Sequence, residues 1–164
     1  MKKTLIIYDS YFGNTKKIAE TVEGRLKGIL DPSLMQINEF SMNMLNDIQI
    51  LIAGSPTRGF KPTEAYLNLF KKIPEHALAG IQIAVFDTRI DPADIHSIIF
   101  RFIVQRGGYA APKIVKELTN KGGQLILPPE GFFVEKSEGP LKEGEETRAA
   151  AWSEKIISLI EAKK

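Results

Sequence analysis

Short apolar runs alternate with helix-like segments along the whole chain, and this alternation limits the possible fold more than any other feature. The apolar runs are Thr4–Tyr8, Leu34–Asn38, Asp47–Gly54, Ile81–Phe86 and Gln124–Leu127, the last continuing at Phe132–Val134 after Pro128 and Pro129. From Ile50 to Gly54 the third run is continuously apolar, as in a central strand that is buried on both faces. Strands separated by helices predict an α/β fold built on an open, parallel, five-stranded sheet.

Helical periodicity fills the segments between these runs. An apolar stripe at four-residue spacing follows the first segment, Thr15–Leu30, through Ile18, Val22, Leu26 and Leu30. Further helices are predicted at Pro62–Lys72, Ala110–Asn120 and Glu145–Ala162. Because ligands of such sheets bind beyond the carboxyl ends of the strands, we expect the functional residues after Tyr8, Gly54 and Phe86.

Length, charge and the absence of cysteine narrow the classes of function. The 164 residues suffice for a single domain, predicted to span 1–164. Without cysteine there are no disulfides or thiolate metal sites, and two histidines do not make a histidine-rich metal site. The net charge of +2 comes without a basic cluster for nucleic acid, and no apolar run is long enough to span a bilayer. We therefore expect a cytoplasmic protein without a metal, a nucleic-acid partner or a membrane partner.

The loop after the first strand has the composition of an anion-binding turn. Its residues are Ser10, Tyr11, Phe12, Gly13, Asn14 and Thr15. A glycine lets backbone amides approach an anion, hydroxyls donate hydrogen bonds, and the start of a helix favours negative charge. The Walker lysine motif and GxGxxG are both absent, which argues against nucleoside triphosphatases and dinucleotide sites. The alternative is an ordinary helix-capping turn.

Ser-x-x-Gly-Asn-Thr at this position resembles the FMN-phosphate loop of the flavodoxin family. Tyr8-Asp9-Ser10, with an aromatic residue before Gly13, is similar to the flavodoxin domains of A-type flavoproteins. The resemblance covers nearly the whole chain. It implies a flavodoxin-like three-layer sandwich of strand order 2-1-3-4-5, for which flavodoxins are themselves the standard example, with helices on both faces and FMN as cofactor.

The loop after the third strand contains Pro56, Thr57, Arg58, Gly59 and Phe60. Taken alone it is also consistent with a rigid turn, but it resembles the second flavin loop of the family, in which Pro56, Thr57 and Gly59 match. Arg58 stands where many flavodoxins have a stacking tryptophan, so Phe60 or Tyr109 is the candidate substitute. By the same resemblance, the Arg58–Gly59 peptide is the one that turns toward flavin N5 on reduction. Pro-Thr-Arg also resembles the tetrameric FMN quinone reductases.

The loop after the fourth strand, Asp87-Thr88-Arg89-Ile90, is similar to the third flavin loop of the family. Asp87 is expected to accept a hydrogen bond from the ring N3–H, and Thr88 to donate to a ring carbonyl. The alternative for Asp87 is that it caps the following turn. Arg58 and Arg89 would together place positive charge near the ring and so make its last reduction step less difficult than in acidic flavodoxins.

Residues 91–106 form an insert that the minimal flavodoxin pattern does not need. Asp91 is a good N-cap, Pro92 fits the first helical position, and one apolar stripe follows at Ile95, Ile98, Ile99, Phe102 and Ile103. The pattern predicts one helix. Its stripe either packs on the core of the protein or forms a lid or a homodimer surface.

Three functions are consistent with these features. The first is an electron carrier that binds FMN, has no catalytic residue of its own and exchanges electrons with a redox partner protein. The second is an FMN-dependent NAD(P)H:quinone reductase. The third is a flavin-free interaction module. A phosphoacceptor receiver domain is rejected, because Gly54-Ser55-Pro56 lies where its acidic residue would be.

Overall fold

A computed structural model describes residues 1–162 and shows strands alternating with helices. The strands are β1 (Lys3–Tyr8), β2 (Asp31–Gln36), β3 (Ile50–Pro56), β4 (Gln82–Ile90), β5 (Gln124–Leu125) and β6 (Glu130–Val134). The α-helices are α1 (Asn14–Leu26), α2 (Glu64–Lys72), α3 (Ile98–Gly107), α4 (Ala110–Asn120) and α5 (Glu145–Glu161). All strand pairs are parallel, in the order β2-β1-β3-β4-β5, which confirms the predicted topology.

The sheet edge beside β4 is made of two short strands instead of one. β5 pairs with the start of β4 at Gln82 and Ile83, and β6 pairs with its end from Phe86 to Ile90. Pro128 and Pro129 lie between them and cannot donate ladder hydrogen bonds. The predicted interruption of the fifth strand is thereby confirmed.

Helices cover both faces of the sheet, because side chains alternate along each strand. Leu5 and Ile7 of β1 pack with α2 and α4, in a core that includes Tyr66 and Ile114. Ile6 of β1 points to the other face, where α1 and α5 pack. These layers make a three-layer sandwich, as predicted. No helix among residues 1–162 is both long and apolar enough to cross a membrane.

The first helix is shorter than its apolar stripe predicts. α1 ends at Leu26, whose carbonyl accepts hydrogen bonds from the amides of Ile29 and Leu30 in a turn. Gly28 in this turn has φ 86°, a conformation that ends a right-handed helix. Leu30 stays buried on the same core, and β2 consequently starts earlier than predicted, at Asp31.

The insert contains two helical pieces instead of the single predicted helix. Asp91 caps a short 3-10 turn, Pro92–Asp94, by accepting from the Ala93 amide at 2.9 Å. Ser97 then caps α3 by accepting from the Phe100 amide at 3.2 Å. A second good cap within the pattern splits the helix.

Candidate functional site

The carboxyl ends of β1, β3 and β4 surround two adjoining cavities. The inner cavity has a volume of about 70 Å³ and the outer cleft about 470 Å³. The inner cavity is lined by ten of the predicted site residues, namely Ser10, Tyr11, Phe12, Asn14, Thr15, Pro56, Thr57, Arg58, Thr88 and Arg89. The outer cleft adds Gly59 and Phe60, while Gly13 and Asp87 line neither space. Thr57, Arg58 and Arg89 line both, so the two spaces adjoin.

Free donors surround the start of α1. Gly13 has φ 88°, and the backbone N–H groups of Phe12, Asn14 and Thr15 donate to no acceptor within residues 1–162. Ser10 Oγ accepts from the Gly13 amide at 3.1 Å, which leaves the hydrogen of its own hydroxyl available. Free amides at a helix N-terminus, together with the helix dipole, form an anion-binding site.

Two buried hydroxyls lie behind this helix start. Thr15 Oγ1 and Thr88 Oγ1 are 2.8 Å apart, and both residues are almost fully buried. One hydroxyl donates to the other, and the accepting hydroxyl keeps its own hydrogen. The pair therefore presents one further donor to the inner cavity.

The loop between β6 and α5 closes the inner cavity and brings in a residue that sequence reasoning missed. Asn14 Nδ2 donates to the Glu138 carbonyl at 3.0 Å, and a Cβ on Gly139 would lie 2.5 Å from Asn14 Oδ1. The side chain of Asn14 thus binds the loop between β6 and α5, in addition to lining the inner cavity. Ser137 of this loop lines both spaces. The sequence signal for it was the polar Ser-Glu-Gly-Pro turn directly after the last strand.

Thr57 and Asp87 cap the start of α4. The Ala110 amide donates to Thr57 Oγ1 at 2.9 Å, and the Ala111 amide donates to Asp87 Oδ2 at 2.8 Å. Asp87 is fully buried, and burial raises the pKa of its carboxyl. It is a helix cap, although for α4 and not for the turn that follows it. Its predicted hydrogen bond to the ring N3–H stays a prediction.

A buried carboxylate compensates the positive charge of Arg89. It donates from Nε to Asp87 Oδ1 at 2.5 Å and from Nη2 to Asp87 Oδ2 at 2.7 Å. Its guanidinium also covers the Tyr109 ring, with Cζ 3.7 Å from the ring centroid. A Cβ on Gly131 would lie 2.5 Å from that Cζ, so any other residue there would displace the guanidinium from this position. The buried pair contributes little net charge to the site.

Arg58 is the second arginine that lines both spaces. It forms no ion pair among the described residues, and its Cζ lies 5.5 Å and 5.4 Å from the ring centroids of Tyr11 and Phe12. These contacts are cation–π interactions between the first and second loops. Arg58 is consequently the uncompensated cation that lines both spaces.

The insert supplies much of the apolar wall of the outer cleft. Ile95, Phe100 and Val104 line it together with Phe60 and Tyr109. Phe60 has φ 66°, and a Cβ on Gly107 would lie 2.4 Å from its Cγ, so the ring packs on the end of α3. Both predicted substitutes for the stacking tryptophan therefore lie in the cleft. Phe100 and Val104 were missed as site residues, because their place depends on the second helix cap at Ser97.

Solved structures similar to this chain include several flavodoxins. Flavodoxin 1 from Bacillus cereus superposes with a TM-score of 0.76 at 16% identity, covering 95% of this chain and 97% of that one. A WrbA-like flavodoxin from Agrobacterium tumefaciens gives 0.71 at 15% identity over 100% of both chains. Rubredoxin oxygen:oxidoreductase from Desulfovibrio gigas gives 0.68 at 16% identity, over 98% of this chain and 36% of that one. No family model and no curated protein matches the sequence. The chain has the flavodoxin fold.

Proposed function

We propose that this chain, folded as a flavodoxin, binds one FMN non-covalently and carries electrons through it. The observation that carries the proposal is that a small donor-lined cavity adjoins a larger apolar-walled cleft at one sheet edge. A terminal phosphate suits the first space and a planar ring suits the second. When bound, FMN supplies the electron-accepting ring, and the protein supplies binding and electrostatics.

The donors of the inner cavity fit a phosphate. Three free amides of the first loop, the Ser10 hydroxyl and the Thr15–Thr88 pair all belong to this region. Arg58 adds the unpaired cation, and no acidic side chain within residues 1–162 lines either space. Hydrogen bonds to a charged group are worth about 1.5–3 kcal/mol each, so this set favours a ligand that ends in a phosphate.

The walls of the outer cleft fit a flat aromatic ring. Phe60, Phe100 and Tyr109 offer aromatic surface, and Ile95 and Val104 add aliphatic surface. Burying such surface against a ring is favourable by roughly 25 cal/mol per Å². Polar specificity would come from the Arg58–Gly59 segment, where Gly59 has φ 52° and open space around it.

An absorption spectrum of the purified protein, before and after FMN is added and excess is removed, tests this function. We expect flavin bands that survive gel filtration and bleach reversibly on reduction with dithionite. A protein that stays colourless after incubation with excess FMN would instead favour the flavin-free interaction module.

The open outer cleft favours a second candidate, an FMN-dependent NAD(P)H:quinone reductase. Arg58 is held against Tyr11 and Phe12, and no tryptophan covers this side of the cleft, so a flat substrate has access. Steady-state oxidation of NADPH by a soluble quinone separates the two functions. A carrier gives no turnover above that of the same concentration of free FMN, whereas a reductase exceeds it and saturates with both substrates.

A further inference from the structure

One face of α3 is apolar and uncovered. Ile98, Ile99, Phe102 and Ile103, which we call the docking strip, have exposed fractions of 83%, 75%, 57% and 45%. Their spacing puts them side by side on one face of the helix. Single exposed apolar residues are common, but a contiguous set of four large ones marks an interaction surface.

Basic residues surround the docking strip without matching acidic ones. From 95 to 116 the chain contains no aspartate or glutamate, while Arg101, Arg106 and Lys113 are exposed there. The Arg106 guanidinium lies 5.3 Å from the centre of the Phe102 ring, at the border of the strip. The preceding acids are engaged elsewhere, since Asp91 and Asp94 each lie 2.8 Å from Lys142 Nζ. The rim of the strip is therefore positive.

Charge and size both disfavour a second copy of this chain as the occupant. A two-fold pairing of α3 with itself would bring Arg101 and Arg106 close to the arginines of the second copy, and like charges across an interface are unfavourable. Ten helical residues extend only about 15 Å, and one face of so short a helix is too small to bury by itself the roughly 800 Å² per partner of a standard stable interface. The strip has instead the size of a transient contact, as in redox encounters.

The docking strip lies beside the proposed flavin site. Phe100 and Val104 line the outer cleft, and the strip occupies the exposed side of the same helix. Building on the proposed FMN function, we propose that the strip docks an acidic electron-transfer protein, whose apolar contact is ringed by aspartate and glutamate. Apolar contact would hold the partner beside the cleft, and the basic rim would attract and orient it.

Binding of a fluorescently labelled plant-type [2Fe–2S] ferredoxin, an acidic redox protein, tests the docking strip, with the basic protein cytochrome c as its counterpart. Anisotropy titrations would use the FMN-loaded chain at low and high salt. We expect ferredoxin to bind at low salt, to weaken as salt rises, and to bind much more tightly than cytochrome c.

Two variants test whether ferredoxin binds at the docking strip. Phe102→Glu places a negative charge in the apolar centre and should weaken ferredoxin binding about tenfold or more, in the range of an interface hot spot. Leu159→Glu is the matched control, because Leu159 is a 39% exposed residue of α5, outside the strip, and its substitution should leave ferredoxin binding unchanged. Neither residue lines the cavities, so FMN affinity, measured separately, should not change in either variant.

Several outcomes would overturn the docking proposal. One is no ferredoxin binding at low salt, and another is equal weakening by Phe102→Glu and Leu159→Glu. A wild-type dimer that Phe102→Glu converts to a monomer in size-exclusion chromatography would assign the strip to a second copy. Binding to phosphatidylglycerol vesicles in place of ferredoxin would assign it to a lipid surface. Ferredoxin binding by a chain that takes up no FMN would support the strip and contradict the proposed function alone.

Discussion

At the scale of single residues, Arg58 and Arg89 enter the same site but act on it differently. Both line the inner cavity and the outer cleft. That they act as a pair of cations near the ring stays a prediction. The structure pairs Arg89 with the buried Asp87 and leaves Arg58 without a carboxylate partner among the described residues. Pairing with a carboxylate thus decides which of the two charges a ligand experiences. We therefore expect Arg58 alone to change the reduction potential of bound FMN through its charge.

Arg58→Gln should lower the potential of the second one-electron reduction of bound FMN. A cation near the ring stabilises the anion that this reduction produces, and solvent exposure limits the effect to roughly tens of millivolts. Redox titration at two ionic strengths measures it, and the difference from wild type should shrink at high salt. An unchanged or raised potential would show that Arg58 does not act on the ring.

Arg89→Gln should lower the free energy of unfolding. Burial raises the pKa of the Asp87 carboxyl, and the hydrogen bonds and charge of Arg89 oppose that rise. Removing the arginine leaves a buried carboxylate without its partner, which costs about 3–5 kcal/mol at neutral pH. Because a raised folded-state pKa favours the protonated carboxyl, stability is greatest below the unfolded-state pKa and is lost as pH rises through the folded-state pKa.

Urea unfolding of Arg89→Gln at neutral pH and in mild acid measures this loss. We expect a smaller deficit relative to wild type in acid, and partial recovery at neutral pH in the double variant Asp87→Asn/Arg89→Gln. A deficit that is the same at both pH values and in the double variant would argue against an uncompensated charge.

At the scale of elements, one lysine holds the start of the insert against the rest of the fold. Lys142, between β6 and α5, binds Asp91 and Asp94 at the two ends of the 3-10 turn. The hydrogen bond that Lys142 donates lowers the pKa of Asp91, and donating to Asp91 and Asp94 raises the pKa of Lys142 to about 12. This attachment positions Ile95 in the wall of the outer cleft.

Acid below the ordinary aspartate pKa of 3.8 should loosen the start of the insert. A lowered folded-state pKa means that the contribution of Asp91 is present above its unfolded-state pKa and is lost as pH falls through its folded-state pKa. Amide hydrogen exchange at Ala93–Ile95 should therefore accelerate in acid, after correction for the intrinsic pH dependence. Lys142→Gln should give fast exchange already at neutral pH. Equal protection in both proteins would show that the lysine does not hold the insert.

The elements also show why the sequence predicted some features and missed others. The ends of β1 and β3 follow from local patterns and fall close to the predicted ranges. β4 runs on to Ile90, so the prediction of Asp87–Ile90 as a loop is wrong, because pairing with the distant β6 extends the strand through these residues. Thr57 and Asp87 cap a helix far along the chain, and nothing in their local sequence indicates Ala110 or Ala111. Local hydrophobic periodicity also cannot distinguish a stripe that is buried from one that is exposed, as in α3.

At the scale of the whole molecule, the site results from strand order. β1 and β4 lie on either side of β3, so loops that are distant in sequence meet where these three strands end. That meeting place was predicted from the alternation of strands and helices together with a family resemblance. The shape of the outer cleft was not, because it depends on how the insert and the Glu135–Pro140 loop pack over the sheet edge.

The most direct measurement of the central claim compares the affinities of the protein for FMN and riboflavin, followed by quenching of flavin fluorescence. The two ligands differ only in the phosphate, which two or more charge-assisted hydrogen bonds should favour by about a hundredfold. Thr15→Ala should weaken FMN by roughly tenfold and riboflavin much less, while Thr15→Ser, which keeps the hydroxyl, should retain most of the FMN affinity. Equal affinity for the two flavins, or equal losses for both in Thr15→Ala, would contradict the assignment of the inner cavity to the phosphate of FMN.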